Sequence, residues 1–150
     1  MSAIRSAVTT PSVLGECPLW SANEQVLYWL DIDGKLVHRF DPAMNTDLTR
    51  SLPARPGSIA LTSTVGQLLV AMEHELVWLD WSTGALLPFI EVTTPSPDRL
   101  NDGRTDPAGR FVVGSLQSDP TLAPSQRVHQ VSSTGASSVS YTHLTLPTKA

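Results

Sequence analysis

Apolar residues in this chain form short runs of four to seven positions, and turn-forming residues separate the runs. Several runs alternate apolar and polar positions, which is typical of β-strands buried on one face. Long windows with apolar residues three or four positions apart, which would predict helices, are absent. The sequence therefore predicts an all-β chain. The runs that predict strands are residues 26–32, 35–40, 58–61, 67–72, 75–81, 111–115 and 127–131.

The predicted strands also repeat along the chain. The run that begins at Leu27 recurs at Leu68 and at Phe111, so successive starts are 41 and 43 residues apart. A period near 40 residues made of short strands is typical of a β-propeller, in which each repeat is one four-stranded blade. We expect the tryptophans to fill the spaces between blades, with an aromatic ligand box as the alternative. They are Trp20, Trp29, Trp78 and Trp81.

Three repeats do not close a propeller ring, and closure is what protects the edges of the blades. Either the chain oligomerises or it is a fragment, and the composition of its last residues favours a fragment. The predicted fold is therefore an incomplete β-propeller that contains about the first two to three blades. Residues 1–12 are interpreted as an N-terminal extension and residues 13–138 as propeller. Residues 139–150 are interpreted as a non-native tail, because the blade pattern ends there and no acidic residue follows Asp119.

Composition excludes several classes of function. The net charge of −4 and the lack of a basic cluster argue against a nucleic-acid partner. No apolar run approaches the roughly 20 residues of a membrane helix, and the first residues lack the apolar core of a signal peptide. Cys17 is the single cysteine, which rules out an internal disulfide and favours a cytoplasmic protein. We expect Cys17 to be a small buried side chain and not a nucleophile.

The stretch at residues 99–111 combines two turn signals, Asn-Asp-Gly and Asp-Pro-Ala-Gly, and precedes an apolar run. It predicts a compact, rigid loop that leads into a strand. Arg99 and Asn101, two positions apart, would form a clamp for a ligand rich in oxygen atoms. The alternative is a surface turn with solvated charges.

Three motifs together resemble the senescence marker protein/gluconolactonase/luciferin-regenerating-enzyme family. The first is Leu-Gly-Glu-Cys-Pro-Leu-Trp at residues 14–20, and the second is Leu-Tyr-Trp-Leu-Asp-Ile at residues 27–32, similar to the first inner strand of the family. The third is the Arg-Leu-Asn-Asp-Gly segment with the Asp-Pro-Ala-Gly-Arg-Phe turn, within residues 99–114. The resemblance covers roughly residues 13–135.

This resemblance implies a six-bladed propeller with one divalent metal ion at the mouth of its channel, acting on sugar lactones. It implies Glu16 as a metal ligand, and Arg99 and Asn101 as substrate-binding residues. Asp119 would be a further substrate-binding carboxylate, where some members have Glu. The oxygen ligands suit calcium, magnesium or manganese, and zinc is also possible. The other ligands and the general base are expected in later blades, so this chain alone is expected to be inactive.

Two functions stay open at this point. The first is a metal-dependent hydrolase of sugar lactones, and the second is a non-catalytic propeller that binds calcium, because members of the family have been described in both ways. The expected partner is a small sugar lactone, without a membrane or nucleic acid. The sequence does not predict the oligomeric state.

Overall fold

A computed structural model describes residues 3–92, 94, 97–123, 125–132 and 137–140. Regular structure in these residues consists of twelve strands, which form three four-stranded antiparallel sheets. The strands of each sheet are hydrogen-bonded in the order in which they occur in the chain. This is the arrangement of successive propeller blades. The predicted all-β, incomplete β-propeller is confirmed.

The first sheet contains β1 (Gly15–Ser21), β2 (Val26–Asp31), β3 (Leu36–Asp41) and β4 (Thr46–Ser51). The second sheet contains β5 (Ser58–Leu61), β6 (Gln67–Ala71), β7 (Glu75–Asp80) and β8 (Leu86–Glu91). The third sheet contains β9 (Arg99–Thr105), β10 (Phe111–Leu116), β11 (Val128–Val131) and β12 (Ser137–Ser140). The first strands of the three sheets, β1, β5 and β9, lie next to one another. They are therefore the inner strands.

This arrangement corrects two predictions. The run at residues 27–32 lies mainly in β2, the second strand of its blade, so it is not the first inner strand. The first seven residues of the predicted loop at 99–111 instead form the inner strand β9. Gly103 has no positive φ, and a Cβ on it would lie 2.8 Å from the ring of Phe111. This glycine is therefore needed for close packing and not for a turn.

The second turn signal is confirmed. Gly109 has a φ of 78°, and the Asp106 carboxylate accepts hydrogen bonds from the backbone N–H groups of Ala108 and Arg110. These contacts close the turn between β9 and β10. The hydrogen bond from the Arg110 backbone is the main reason that the pKa of Asp106 lies below its usual value.

Two apolar cores hold the sheets together. One core joins the first and second sheets and includes Tyr28, Leu30 and Val70, and the other joins the second and third sheets and includes Leu100 and Val113. Such cores supply most of the free energy that holds sheets together. Residues 141–150 lie outside the described residues, so the origin of the predicted non-native tail stays a prediction.

The four tryptophans differ in their environments. Trp81 lies edge-on to Tyr28 with ring centroids 5.7 Å apart, and Trp78 packs on the second core beside Phe89, so these two fill the spaces between sheets as predicted. Trp29 stacks on His38 of its own sheet, with ring centroids 3.7 Å apart. The prediction is wrong for Trp20, which is 47% exposed. Trp20 lies near the end of the inner strand β1 and lines a surface pocket together with Leu61 and Gln67 of the second sheet.

Candidate functional site

A pocket of about 240 Å³ lies where the inner strands β1 and β9 approach each other. It brings together Glu16, Arg99 and Asn101, which the sequence predicts to act in one site although they come from the first and third sheets. The full lining is Leu14, Glu16, Cys17, Pro18, Ile32, Gly57, Arg99, Asn101, Asp102 and Arg104. Asp119 does not line this pocket.

A β-bulge in β1 shapes one side of the pocket. Glu16 pairs with Leu30 and Leu19 pairs with Tyr28, so two residues of β1, Cys17 and Pro18, face a single residue of β2. The Glu16 side chain is exposed at the pocket, whereas the next side chain along the strand is buried. Bulges of this kind change the direction of a side chain and are frequent beside functional sites.

The second inner strand at the pocket, β9, has an irregularity of the same kind. Leu100 pairs with Ser115 and Gly103 pairs with Val113, so Asn101 and Asp102 together face one residue of β10. Both of these residues line the pocket. The Asn-Asp dipeptide therefore produces a bulge inside a strand, which explains why its sequence indicates a loop.

The second sheet contacts the bulge of β9 closely. A Cβ on Gly57 would lie 2.7 Å from the carbonyl oxygens of Leu100 and Asn101, so only glycine fits at this position without a shift. The hydroxyl of Ser58 donates a hydrogen bond of 2.8 Å to the Asn101 carbonyl. The position of Asn101 is therefore set from the neighbouring sheet as well as from its own.

The guanidinium of Arg99 is buried and points its donors toward neutral acceptors. It donates to the carbonyl of Leu100 at 3.1 Å and to Oδ1 of Asn101 at 3.3 Å. Burial lowers the pKa of Arg99, and the nearby positive charge of Arg55 lowers it further. Among the described residues it forms no ion pair. A buried guanidinium that donates to neutral acceptors, with the carboxylates of Glu73 and Asp33 acting on it only from a distance, favours an oxygen-rich or anionic ligand.

The contact with Arg99 also determines which hydrogen-bonding group of the Asn101 side chain is available to a ligand. Because Oδ1 accepts from the guanidinium, the amide nitrogen is the group left to face the pocket. Arg99 and Asn101 are thus both hydrogen-bond donors at this position. Carbonyl, ring and hydroxyl oxygens of a lactone are suitable acceptors for such donors.

A charge network beside Arg99 is not predicted from the sequence. Arg55 donates to Glu73 at 2.6 Å and lies 4.0 Å from Asp33. These residues come from three separate loops, so only the folded chain brings them together. The available signal is weak: Arg55 lies between two prolines, which makes its loop rigid.

Buried Asp31 fixes the strand end that leads into the site. Its carboxylate accepts backbone hydrogen bonds from Val13, Leu14 and Gly34 at 2.9 to 3.0 Å. Burial would raise the pKa of Asp31, but these three donors outweigh it and the pKa is lowered. The ionised carboxylate therefore holds the segment before Glu16 against the turn that follows β2.

Asp119 lies in a turn after β10. Its carboxylate accepts hydrogen bonds from the backbone and the hydroxyl of Thr121 at 2.9 and 2.6 Å, and these bonds lower its pKa. The histidines do not line the pocket either: His38 contacts Asp47, His74 contacts Thr94, and His129 is buried in the third sheet, while His143 lies outside the described residues. No metal role is assigned to any of them.

The chemistry of the pocket is compatible with a hard divalent cation. Glu16 and Asp102 each place a carboxylate in the lining, and oxygen donors are what calcium, magnesium and manganese prefer. Within the residues that the structure describes, no group of three or more His, Cys, Asp or Glu side chains is placed to hold a metal ion. The described residues therefore fit such an ion in the type of donor and provide part of a ligand set.

Comparison with known proteins gives a consistent assignment. The family described as SMP-30/Gluconolactonase/LRE-like region matches residues 14–147. A 6-deoxy-6-sulfogluconolactonase of Pseudomonas putida is 42% identical over 115 residues, which are 75% of this chain and 39% of that protein. An L-arabinolactonase of Azospirillum brasilense is 40% identical over 106 residues, which are 70% of this chain and 35% of that protein. The chain thus spans less than half the length of these curated relatives.

The solved structures give the same fold. The crystal structure of a calcium-binding protein, regucalcin, from Agrobacterium tumefaciens has a TM-score of 0.82 and 25% sequence identity, covering 91% of this chain and 46% of that one. No helix in the described part of the chain is long and apolar enough to cross a membrane. The sequence motifs, the arrangement of the inner strands and the comparisons all indicate the same family. The chain belongs to the SMP-30/gluconolactonase/LRE-like family.

Proposed function

We propose that this chain supplies the metal-binding and substrate-binding side of a divalent-metal-dependent sugar lactone hydrolase. The observation that carries the proposal is the single pocket that joins Glu16 with Arg99 and Asn101 across two sheets. The relatives from Pseudomonas putida and Azospirillum brasilense act, by their names, on sugar lactones. The activity belongs to a full-length protein, meaning one that keeps these residues within a chain of the relatives' length.

In this proposal each residue has a separate task. The carboxylate of Glu16 holds the ion, and the N–H groups of Arg99 and Asn101 bind the oxygens of the lactone and orient its ring. A bound divalent ion supplies a Lewis acid for the lactone carbonyl and a source of nucleophilic water near neutral pH. Asp119 is proposed as a further substrate contact, although it lies outside the pocket in this chain. None of the residues described here is proposed as the general base.

The proposal is tested by measuring the hydrolysis of gluconolactone by the full-length protein. The release of acid is monitored before and after the metal is removed with a chelator. We expect hydrolysis to fall to the spontaneous rate with the chelator and to rise again with calcium, magnesium, manganese or zinc. Arg110→Ala is the matched control for substitutions of Arg99, because Arg110 is an exposed arginine paired with Asp106 in a turn. Hydrolysis that stays above the spontaneous rate without any metal would contradict the proposal.

The alternative is a propeller that binds calcium without catalysis. It is favoured by the similarity to the calcium-binding regucalcin of Agrobacterium tumefaciens. A full-length protein that binds calcium through Glu16 but hydrolyses no sugar lactone would select this alternative.

A further inference from the structure

Cys17 has an unusual backbone for its position. Four non-glycine residues in the described part of the chain have a positive φ, and three of them are exposed residues that end four-residue turns: Gln25, Lys35 and Asn45. Cys17, with a φ of 54°, instead lies inside a strand and is buried. A left-handed residue of this type is strained and persists only where its surroundings enforce it.

The following proline increases that cost. A residue before proline prefers the extended region, and Cys17 precedes Pro18. The sequence thus keeps two unfavourable features at one bulge, and the residue before the bulge is Glu16. Such strain beside a ligand-binding side chain is an observation from which a functional role can be inferred.

The side chain of Cys17 fixes the bulge from inside. It is 8% exposed and belongs to the core between the first and second sheets, where it packs together with residues such as Ile59. Burial raises the pKa of the thiol, and a hydrogen bond from the backbone of Ile59 partly opposes this shift. The thiol therefore links β1 to the inner strand of the next sheet, one position away from Glu16.

We propose that Cys17 is a positioning residue for Glu16: its buried side chain and left-handed backbone hold the bulge that presents the Glu16 carboxylate to the pocket. The proposal rests on the proposed function, in which Glu16 binds the cation. It explains why a strained, solvent-excluded cysteine lies beside an exposed carboxylate. It assigns no chemistry to the thiol itself, whose raised pKa keeps it protonated.

The test measures the dissociation constant for calcium by titration calorimetry in the full-length protein, together with the free energy of unfolding. Cys17→Val keeps an apolar side chain but makes the left-handed backbone unfavourable, because a β-branched residue rarely adopts it. We expect its dissociation constant for calcium to rise about tenfold or more. Cys17→Ser keeps the small size and the hydrogen-bond acceptor, so we expect a change of less than about threefold.

Two further variants keep the test decisive. Cys17→Gly tolerates the backbone and removes the anchor, and it is also expected to weaken calcium binding if Cys17→Val does not fold. Val26→Ala is the structural control, because Val26 is buried in the same core but does not line the pocket. It is expected to lower stability and to leave calcium affinity unchanged.

The outcomes separate the two proposals. If Cys17→Val and Cys17→Gly lower stability but leave the calcium dissociation constant unchanged, Cys17 has only a structural role and the inference is wrong. If Glu16→Gln also leaves that constant unchanged, the assignment of Glu16 fails, and with it the proposed function. If Glu16→Gln alone weakens binding, the proposed function stands and the positioning role is rejected.

Discussion

The hydroxyl of Ser58 donates a hydrogen bond of 2.8 Å to the main-chain carbonyl of Asn101, which joins the inner strand of the second sheet to the bulge of the third. Gly57, the preceding residue, lies against the same carbonyl. The side chain of Asn101 faces the pocket while its backbone is held by a neighbouring sheet. The geometry of the substrate side therefore depends on the docking of two sheets.

This dependence predicts a large effect for Gly57→Ala. The added Cβ would lie 2.7 Å from two backbone oxygens of β9, which cannot move as a flexible side chain can. We expect the free energy of unfolding to fall by about 1–3 kcal/mol, the usual cost of overpacking. Urea denaturation measures it. The matched control is Gly114→Ala, whose Cβ would have its nearest contact at 3.8 Å. Equal losses in the two variants would contradict the prediction.

The second prediction concerns Glu16 in the full-length protein. Glu16→Gln removes the negative charge and leaves the size of the side chain nearly unchanged. We expect calcium binding and lactone hydrolysis to weaken together, and added metal to restore part of the activity because occupancy is the defect. Calorimetry beside an assay of hydrolysis measures both. Activity that is lost without any change in calcium affinity would argue against Glu16 as a ligand.

The third prediction separates Arg99 from the metal. Arg99→Ala removes a charge-assisted contact worth about 1.5–3 kcal/mol, so kcat/KM for a sugar lactone should fall roughly ten- to a hundredfold. Calcium affinity should stay nearly unchanged, because the guanidinium donates to Leu100 and Asn101 and forms no ion pair with a carboxylate in the described part of the chain. Steady-state kinetics and calorimetry check the two statements. A loss of calcium binding in Arg99→Ala, with Glu16→Gln unaffected, would reverse the assigned roles.

The fourth prediction is a pH dependence of stability that comes from His129. Burial lowers the pKa of this side chain, and the charge of Arg127 lowers it further. The unfolded chain therefore takes up this proton first as the pH falls below about 6.5, and stability falls with a slope of at most about 1.4 kcal/mol per pH unit. Above the unfolded pKa this contribution is constant.

His129→Val is the natural test, because His129 pairs with Val113 in the same way that Val77 of the second sheet pairs with Val70. We expect the variant to lose less stability than the wild type between pH 6.5 and pH 5, measured by urea denaturation at each pH. Parallel pH curves for the two proteins would show that another group is responsible.

The strands that could be predicted are those whose buried positions are visible in the sequence as runs of apolar residues. β2, β6 and β7 are strongly apolar, and their existence follows from alternation and length. β4 is mostly polar because it is an outer edge, and β8 contains Pro88, so neither has a clear strand pattern. The strands β1 and β9 could not be recognised from the sequence, because Cys-Pro and Asn-Asp-Gly are typical of turns. In the structure these segments form bulges within the strands.

Part of the site could be predicted from the sequence. The motifs that indicate it contain the same Cys-Pro and Asn-Asp-Gly segments that form the bulges of β1 and β9. The residue pattern predicts Arg99 and Asn101 as a ligand clamp, the family resemblance adds Glu16, and the fold brings the three into one pocket. Arg55 and Glu73 could not be found in this way, because a pair formed by separate loops has no local sequence pattern. Asp119 follows from the resemblance and from its spacing to Asn101, and its role in substrate binding stays a prediction.

Glu16 and Arg99 are 83 positions apart in the chain, and the second sheet lies between their sheets in sequence. Such distant contacts are slow to form, so the complete pocket should appear late on the folding pathway. A ligand that needs both sides then stabilises the native state and not the transition state that precedes it. In the presence of the metal ion, a sugar lactone should therefore slow the unfolding of the full-length protein while leaving its folding rate almost unchanged.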